Sequence, residues 1–385
     1  MRPKVAWYTQ WVLSPSETFV ARQLTAMREV DNVLFGIDAI PGIEVPGEKF
    51  VLDKDCRFGG AEALFWKSAR WSPRLSSAMR AFNPDLVIAH HLQHAWRISR
   101  LTESNGFPLA VMCHGSDLLE MRGPQRSKSR AMRQLTDNWA RFVETVRLFL
   151  PVSQFLSRHL AEAGAPPSRI AVHHLGVPIP DASGLGSAAD CSGILFVGRL
   201  VENKGCALLL RAAGEIARQH PVTVTVVGDG PERGALLRQA AGLPAGADVR
   251  LLGSQSYEAV SRLMRKHRVV CIPSVDVASG PSEGLGLVAC EAAAHGRPVV
   301  VFETGGLPET VVRHRTGLVV PQGDVSALAR AISSLLADDG KAAAMGDAAR
   351  LHALENFDAV KQGIRLHELL ADRGLLSFPE CEAKV

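Results

Sequence analysis

No two cysteines in this chain stand at metal-binding or redox spacing. The seven, Cys56, Cys113, Cys191, Cys206, Cys271, Cys290 and Cys381, are scattered. Without a C-x-x-C pair they read as reduced thiols rather than zinc ligands or a disulfide framework, and Cys113, Cys271 and Cys290 lie in or beside apolar runs. No apolar stretch approaches the length that crosses a bilayer, and the start, Met1 to Tyr8, is basic but lacks the apolar core of a signal peptide. The expectation is a cytoplasmic chain that touches a membrane only peripherally. No Ser-His-Asp or Cys-His arrangement is suggested, nor a close carboxylate pair of the hydrolytic kind. The formal net charge is only +4, and nucleic acid is not an expected partner.

What is present is a two-domain chain. Its 385 residues, 46% hydrophobic and 21% charged, exceed what one core ordinarily organises. Short apolar runs alternate with segments of helical period, the pattern of parallel strands joined by crossover helices, and the pattern occurs twice. Expected strands in the first half are Val5–Thr9, Val33–Ile37, Leu86–His90, Leu109–Cys113 and Leu148–Val152, with helices such as Glu17–Arg28 and Ser127–Arg147 between them. In the second half they are Gly193–Gly198, Thr223–Gly228, Val249–Gly253, Val269–Pro273, Val299–Phe302 and Gly317–Val320. Gly176–Ser192, rich in Gly, Pro, Ala and Ser, reads as the interdomain linker. Asp358–Arg373 reads as a final amphipathic helix. Arg122, Arg126, Lys128, Arg130 and Arg133 form a basic run with Trp139 just beyond; it faces either anionic lipid or a phosphate-bearing acceptor, or else is a solvated helix face.

One segment carries the chemistry. From Ser282 the chain reads S-E-G-L-G-L-V-A-C-E-A. Gly284 and Gly286 let backbone approach a ligand, and the free amides and dipole of the helix that follows favour a diphosphate. Glu291, two turns on, is placed to accept ribose hydroxyls, and Glu283 to hold hydroxyls of a sugar. Upstream, Gly198-Arg199-Leu200-Val201-Glu202-Asn203-Lys204 follows a strand. Two cations at the carboxyl end of a parallel strand suit a pyrophosphate, although either alone is as readily a surface charge. Gly228-Asp229-Gly230-Pro231 follows a strand as a dinucleotide fingerprint does, but Pro231 and its place on a later strand argue against a nicotinamide site.

The runs F-V-G-R-L-V-E-N-K-G, V-V-G-D-G-P-E-R, P-S-V-D-V-A-S-G-P-S-E-G-L-G-L-V-A-C-E-A and T-G-G-L-P-E-T-V, in this order across Gly193–Asp324, resemble family 4 of the retaining glycosyltransferases. The resemblance implies an α/β GT-B fold, two Rossmann-like doubly wound parallel-sheet domains facing across a cleft. Residues 1–180 would bind the acceptor, with a C-terminal helix 358–375 packing back on them, and residues 190–357 the nucleotide-sugar donor. It implies that Arg199 and Lys204 bind the diphosphate, that Glu283 touches the donor sugar and Glu291 the ribose, and that amides around Gly284, Leu285, Gly286 and Leu287 reach phosphate or sugar. Gly198 and Gly228 join the same site, the latter in a loop beside the nucleotide.

Family members often carry H-G-x-D after a first-domain strand, matched here by His114-Gly115-Ser116-Asp117. His114 would then lie against the transferred sugar, making His114, Arg199, Lys204 and Glu283 the expected catalytic set; a buried or capping histidine is the other reading, and Asp117 is as readily a helix cap. His90, His91 and His94 lack the carboxylates or thiols of a metal site. The loop Ser16-Glu17-Thr18-Phe19, where many members have glycines, resembles the branch that builds bacterial exopolysaccharide and other surface glycans. Ser16, Glu17, Thr18 and Asp117 are candidate acceptor contacts, Ser16 also reading as a helix N-cap.

The implied activity is retaining transfer of a hexose-type sugar from a nucleotide-diphosphate sugar, UDP- or GDP-linked, to a sugar or lipid-linked saccharide, without a metal or other cofactor. Rival readings are transfer to a small natural product, a sugar-nucleotide epimerase or phosphorylase of the same fold, and a non-catalytic sugar-nucleotide-binding protein.

Overall fold

The computed structural model describes residues 2–12, 17–40, 44, 47–55, 59–122, 129–277 and 282–377. The chain forms two compact units, Met1–Gly176 with Ala359–Val385, and Val177–Asp358.

The first unit is built on six parallel strands: β1 (Lys4–Tyr8), β2 (Asp31–Gly36), β3 (Glu48–Val51), β4 (Leu86–His90), β5 (Leu109–Cys113) and β6 (Leu148–Pro151). Their order is β3-β2-β1-β4-β5-β6, with Trp7 opposite Leu34 on one side and Ile88 on the other. Helices cover both faces of such a sheet, so inner strands are apolar throughout rather than alternating; Val5, Ala6, Trp7 and Tyr8 are all buried. The helices used below are α1 (Thr18–Ala26), α2 (Gly59–Ala69), α3 (Pro73–Phe82), α4 (Leu92–Asn105), α5 (Ser116–Arg122), α6 (Arg130–Asp137) and α7 (Trp139–Thr145).

The second unit repeats the plan. Its strands β7 (Ile194–Val197), β8 (Val222–Val227), β9 (Ala247–Leu251), β10 (Val269–Ile272), β11 (Val299–Phe302) and β12 (Gly317–Val320) run parallel in the order β9-β8-β7-β10-β11-β12. Two of its helices, α8 (Cys206–Ala217) and α9 (Leu287–Ala294), follow β7 and the loop after β10. The last helix, α10 (Ala359–Asp372), belongs to the first unit and packs on α1. Gly363 permits this: a Cβ there would stand 2.5 Å from the Ala26 Cβ.

Several expectations are corrected. Strand β3 was not expected: Glu48-Lys49-Phe50-Val51 sits at a sheet edge, half exposed, so it lacks the apolar run that marked its neighbours. The single helix expected over 127–147 is two, broken at Asn138, with Ser129 Oγ capping the first by accepting from Met132 N at 3.1 Å. Trp139 does not continue a basic surface: its Nε1 donates to the Ala163 carbonyl at 2.6 Å and its ring meets Phe142 and Phe149. Of the basic run, Arg126 and Lys128 lie outside the described residues, and Arg130 and Arg133 are exposed.

The segment of linker composition is also not a free tether. Arg297, fully buried, donates through Nη2 to the carbonyls of Leu185 and Gly186, and Arg268 donates to those of Ala189 and Cys191, each at 2.7 Å. Glycine, serine and alanine leave backbone carbonyls uncovered, and two guanidiniums satisfy them. Burial lowers the Arg297 pKa below the ordinary arginine value. Cys113, Cys206, Cys271 and Cys290 are buried thiols, and the five described cysteines form no disulfide; burial, the largest cause, pushes the Cys206 thiol up to about 12. Replacing Arg297 with Ala strands several buried carbonyls and is expected to cost about 3 kcal/mol, read as a lower denaturant midpoint for the unit that contains it.

Candidate functional site

In a doubly wound sheet the crevice opens where strand order reverses, at the carboxyl ends of the two central strands. In the second unit these are β7 and β10. The loop after β7 carries Gly198, Arg199 and, on a short 3-10 turn (Glu202–Lys204), Lys204; the segment after β10 carries Ser274 and, further on, Glu283.

The two loops meet through charge. Lys204 Nζ lies 2.5 Å from Glu283 Oε2, which also accepts from Ser274 Oγ at 3.0 Å. Both side chains of the ion pair are largely covered, 28% and 14% exposed, so the pair is less screened than a surface bridge. Backbone bonds fix the frame: Val275 N donates to the Asn203 carbonyl at 2.9 Å, and Gly306 N to the Glu283 carbonyl at 2.9 Å. Arg199 is exposed, and among the described residues its side chain makes no hydrogen bond or ion pair. That leaves one uncompensated cation beside one compensated pair.

Helix α9 is preceded by Gly286 as its N-cap, whose φ of +90° belongs to the left-handed region. A Cβ there would also stand 2.4 Å from Leu307 Cδ2. Only glycine meets both demands, and the turn leaves the first amides of α9 without intrahelical acceptors. Gly284 and Leu285 are buried and Leu287 half-buried at this turn. Glu291, half-buried, stands on the second turn of α9. Gly228 directly follows β8, and its loop is laced to the Arg199 loop: Gly198 N donates to the Val227 carbonyl at 3.0 Å and Leu200 N to that of Asp229 at 2.9 Å. Thus Arg199, Lys204, Glu283, Gly228 and the start of α9 occupy one edge of one sheet. Ser274 escaped the sequence reading; its only signal is its place just past the carboxyl end of an apolar strand.

The corresponding point of the first unit lies between β1 and β4. It holds histidines rather than fixed charges. His90, fully buried at the end of β4, faces His114 after β5: Nδ1 of the first and Nε2 of the second are 3.0 Å apart and the rings stack at 5.3 Å. His91 lies 4.7 Å, centroid to centroid, from His114 and 5.2 Å from His94, and its Nε2 is 3.5 Å from a Glu17 oxygen. Phe19 covers His114 at 4.4 Å.

Burial is the main cause that lowers the His90 pKa to about 3 and holds His94 and His114 well below the ordinary imidazole value, with the neighbouring histidines adding to it. His90 and His114 therefore share one N–H between the facing nitrogens. Their far nitrogens, His90 Nε2 and His114 Nδ1, are buried without partners among the described residues, so a second N–H is held without an acceptor. That His90, His91 and His94 join His114 was not visible in the sequence, where 20 residues or more separate them. Among the described residues no three His, Cys, Asp or Glu side chains are arranged to hold a metal.

The other first-unit candidates divide. Glu17, not Ser16, occupies the N-cap position of α1, without a side-chain capping bond, and Thr18 is the first helical residue; Ser16 lies outside the described residues. Asp117 is buried and caps a neighbouring helix: its carboxylate accepts from Leu92 N at the start of α4, and from Leu118 N at 3.0 Å. His91, the N-cap of α4, has a φ of +66°, a left-handed strain that the Asp117 bond to the next residue helps hold.

The family described as glycosyl transferases group 1 matches residues 186–352, and glycosyltransferase family 4 matches residues 20–179. A GDP-mannose-dependent alpha-(1-6)-phosphatidylinositol monomannoside mannosyltransferase of Mycolicibacterium smegmatis is 38% identical over 239 residues, 58% of this chain and 61% of that protein. The amylovoran biosynthesis glycosyltransferase AmsK of Erwinia amylovora is 26% identical over 254 residues, 65% of this chain and 61% of that protein. The chain thus spans about three-fifths of the length of these curated relatives. Among solved structures, Anabaena HepE in complex with UDP and glucose superposes with a TM-score of 0.74 at 21% identity, covering 96% of this chain and all of that one.

The histidine cluster makes stability pH-dependent in a fixed direction. A histidine whose folded pKa is depressed leaves the unfolded chain holding more protons between about pH 3 and 6.5, so stability is complete above 6.5 and falls as pH drops through that window. Denaturant unfolding at pH 7.5 and 5.0 should show lower stability at 5.0. The His90→Gln variant should lose part of that dependence, at most about 1.4 kcal/mol per pH unit; an unchanged slope would refute the assignment.

Proposed function

The chain belongs to glycosyltransferase family 4, and from that premise we propose that it transfers a hexose-type sugar, with retention of configuration, from a nucleotide-diphosphate sugar to an acceptor hydroxyl. The observation that carries this reading is the Lys204–Glu283 pair, beside the free Arg199 and the open amides of α9, on one edge of the second-unit sheet. These are cations and N–H donors for a diphosphate, with carboxylates for hydroxyls beside them.

In this reading Arg199, Lys204 and the amides around Gly284–Leu287 hold the diphosphate as it takes up charge in the transition state. Glu283 orients Lys204 and accepts from hydroxyls of the transferred sugar, while Glu291 accepts from the ribose. The bond from the anomeric carbon to the diphosphate oxygen breaks, and the acceptor oxygen bonds to that carbon on the same face. The acceptor proton passes to the departing phosphate oxygen, so no side chain is consumed as a base. Fixed cations supply the charge that a metal supplies elsewhere, and the reaction is proposed to persist in EDTA without an added cofactor. His114, neutral and packed against His90 and Phe19, serves the transferred sugar as a hydrogen-bonding ring, and Glu17 and Thr18 serve the acceptor.

The donor is a UDP- or GDP-sugar. The mannosyltransferase relative is named as GDP-mannose-dependent, whereas HepE is described with UDP. The acceptor is proposed to be a growing surface polysaccharide or lipid-linked saccharide, assembled by a cytoplasmic enzyme. The names of AmsK, an amylovoran biosynthesis enzyme, and of the phosphatidylinositol monomannoside mannosyltransferase support that choice.

A thermal-shift panel of UDP- and GDP-sugars identifies the donor without knowledge of the acceptor; failure of every nucleotide sugar to stabilise the protein refutes the reading. With the donor known, Glu291→Ala is expected to weaken its binding about 10- to 100-fold, the loss of hydrogen bonds to a charged group. Lys204→Ala should lower kcat about 10²- to 10³-fold with the circular dichroism spectrum unchanged. An Arg199→Ala, Lys204→Ala double variant with near wild-type turnover would end the diphosphate-cradle account.

A further inference from the structure

Helix α2 is amphipathic with an unexpected outer face. Its inner face is Glu62, Ala63 and Trp66, all buried, with Trp66 Nε1 donating to Tyr8 Oη at 2.9 Å. Its outer face, by helical spacing, is Ala61, Leu64, Phe65 and Ser68, all exposed. A helix anchored on one side ordinarily turns charge to water on the other. Here Leu64 is 67% exposed and Phe65 60%, and Trp71, just past the helix end, is 56% exposed. Single exposed apolar residues are commonplace, whereas three large ones within eight positions form a patch that invites a partner.

The rim of the patch is cationic. Arg97 and Arg100 reach across from α4 and donate to the Lys67 and Ala69 carbonyls at the end of α2. Arg70 follows directly, with a left-handed φ of +57°, its guanidinium 3.8 Å over the Trp96 ring and bonded to Ser99 Oγ at 2.7 Å. Arg74, 43% exposed, opens the next helix. Carboxylates take up only part of this charge: Asp38 pairs with Lys67 and Glu62 with Arg74. Arg70, Arg97 and Arg100 hydrogen-bond only to carbonyls and a hydroxyl. The crowding registers at Arg70, whose pKa is lowered to about 10 by burial first and then by Arg100 and Arg141, while Glu103, paired with Arg141, acts the other way.

We propose that the outer face of α2, with Leu64, Phe65 and Trp71 inserted and Arg70 and Arg100 at the rim, docks the first unit on an anionic lipid surface. The charge pattern selects this occupant. An apolar centre with a tryptophan at its margin suits the acyl boundary, and an excess of arginine suits anionic headgroups. The patch is distinct from the basic run over 122–133. Among the described residues no helix is long and apolar enough to cross a membrane, and attachment through this face lies in the plane of the surface. It is separate from the donor site and holds whether or not the transfer reaction is as proposed.

The test is flotation of the full chain with vesicles of phosphatidylcholine alone and of phosphatidylcholine mixed with phosphatidylglycerol. The protein is expected to float with the mixed vesicles, less so at high salt, and not with the neutral ones. The Leu64→Ser, Phe65→Ser, Trp71→Ser triple variant should lose at least about tenfold in bound fraction while keeping its melting temperature and its thermal response to nucleotide sugars, since the replaced side chains are exposed. An Arg130→Ala, Arg133→Ala variant should float as wild type. Wild-type protein that fails to float, or a triple variant that floats unchanged, overturns the proposal. So does sedimentation velocity showing a dimer that the triple variant abolishes without any vesicle binding, which would make the face an interface between copies.

Discussion

Parallel pairing of the first strand of each sheet with the fourth is the constraint on which the rest of the molecule depends. It places β1 beside β4 and β7 beside β10, and because every strand points the same way, all the loops that leave their carboxyl ends gather on one edge. Crossover connections on either side of the reversal run apart, and the gap between them is where a ligand meets backbone amides and loop side chains. No single residue creates this place. The alternation of short apolar runs with helices creates it, and side chains on six loops then determine what each unit can do there.

The same place is furnished in two electrostatic styles. In the second unit it holds formal charges arranged to meet another charge: Lys204 against Glu283, Arg199 unmatched, and a helix start that presents amides. In the first unit it holds His90, His94 and His114, whose imidazoles are kept from charging by burial and by neighbouring histidines. A diphosphate cradle of the kind proposed above would need net positive potential that survives the approach of the ligand, which a lone compensated ion pair would not supply and the unpaired Arg199 would. A neutral histidine cluster suits the opposite task, contact with hydroxyls, where an added charge would be costly to desolvate.

How much of this was legible follows from how local each signal is. Strands buried on both faces write themselves as apolar runs, so the inner strands of the second unit stand within a few residues of where hydrophobicity alone puts them, and so does its half-exposed edge strand Ala247–Leu251, whereas the edge strand Glu48–Val51, the short pair Trp11–Val12 with Asp38–Ala39 and the helix break at Asn138 were not read. That Arg199, Lys204, Gly228, Glu283 and the Gly284–Gly286 turn would gather on one edge of a sheet was legible because glycines, cations and carboxylates at fixed spacing have few other reasons to coincide. What could not be read were pairings across long separations: Lys204 with Glu283, Ser274 with that same carboxylate, His90 with His114. Nor does a capping preference say which helix is capped, and Asp117 closes α4 although it belongs to the first turn of α5. At Gly176–Ser192, where the two units join, composition does not show the packing, because small residues that suggest a linker also leave carbonyls open to an arginine from elsewhere in the chain.

The packing of that segment and the α2 surface rest on the same physics. A run of cations in sequence says little about where positive charge faces outward, because arginines are consumed wherever backbone carbonyls lack donors. Arg268 and Arg297 are spent inside the second unit on carbonyls of a loop. Arg97 and Arg100 are spent on carbonyls too, at the end of α2, but a carbonyl satisfies the hydrogen bond without cancelling the charge. Positive potential therefore collects at a helix terminus beside Leu64, Phe65 and Trp71, where no basic motif appears in the sequence. Charge that is fixed by neutral acceptors, next to exposed large apolar side chains, distinguishes a surface suited to a partner from a face that is merely solvated.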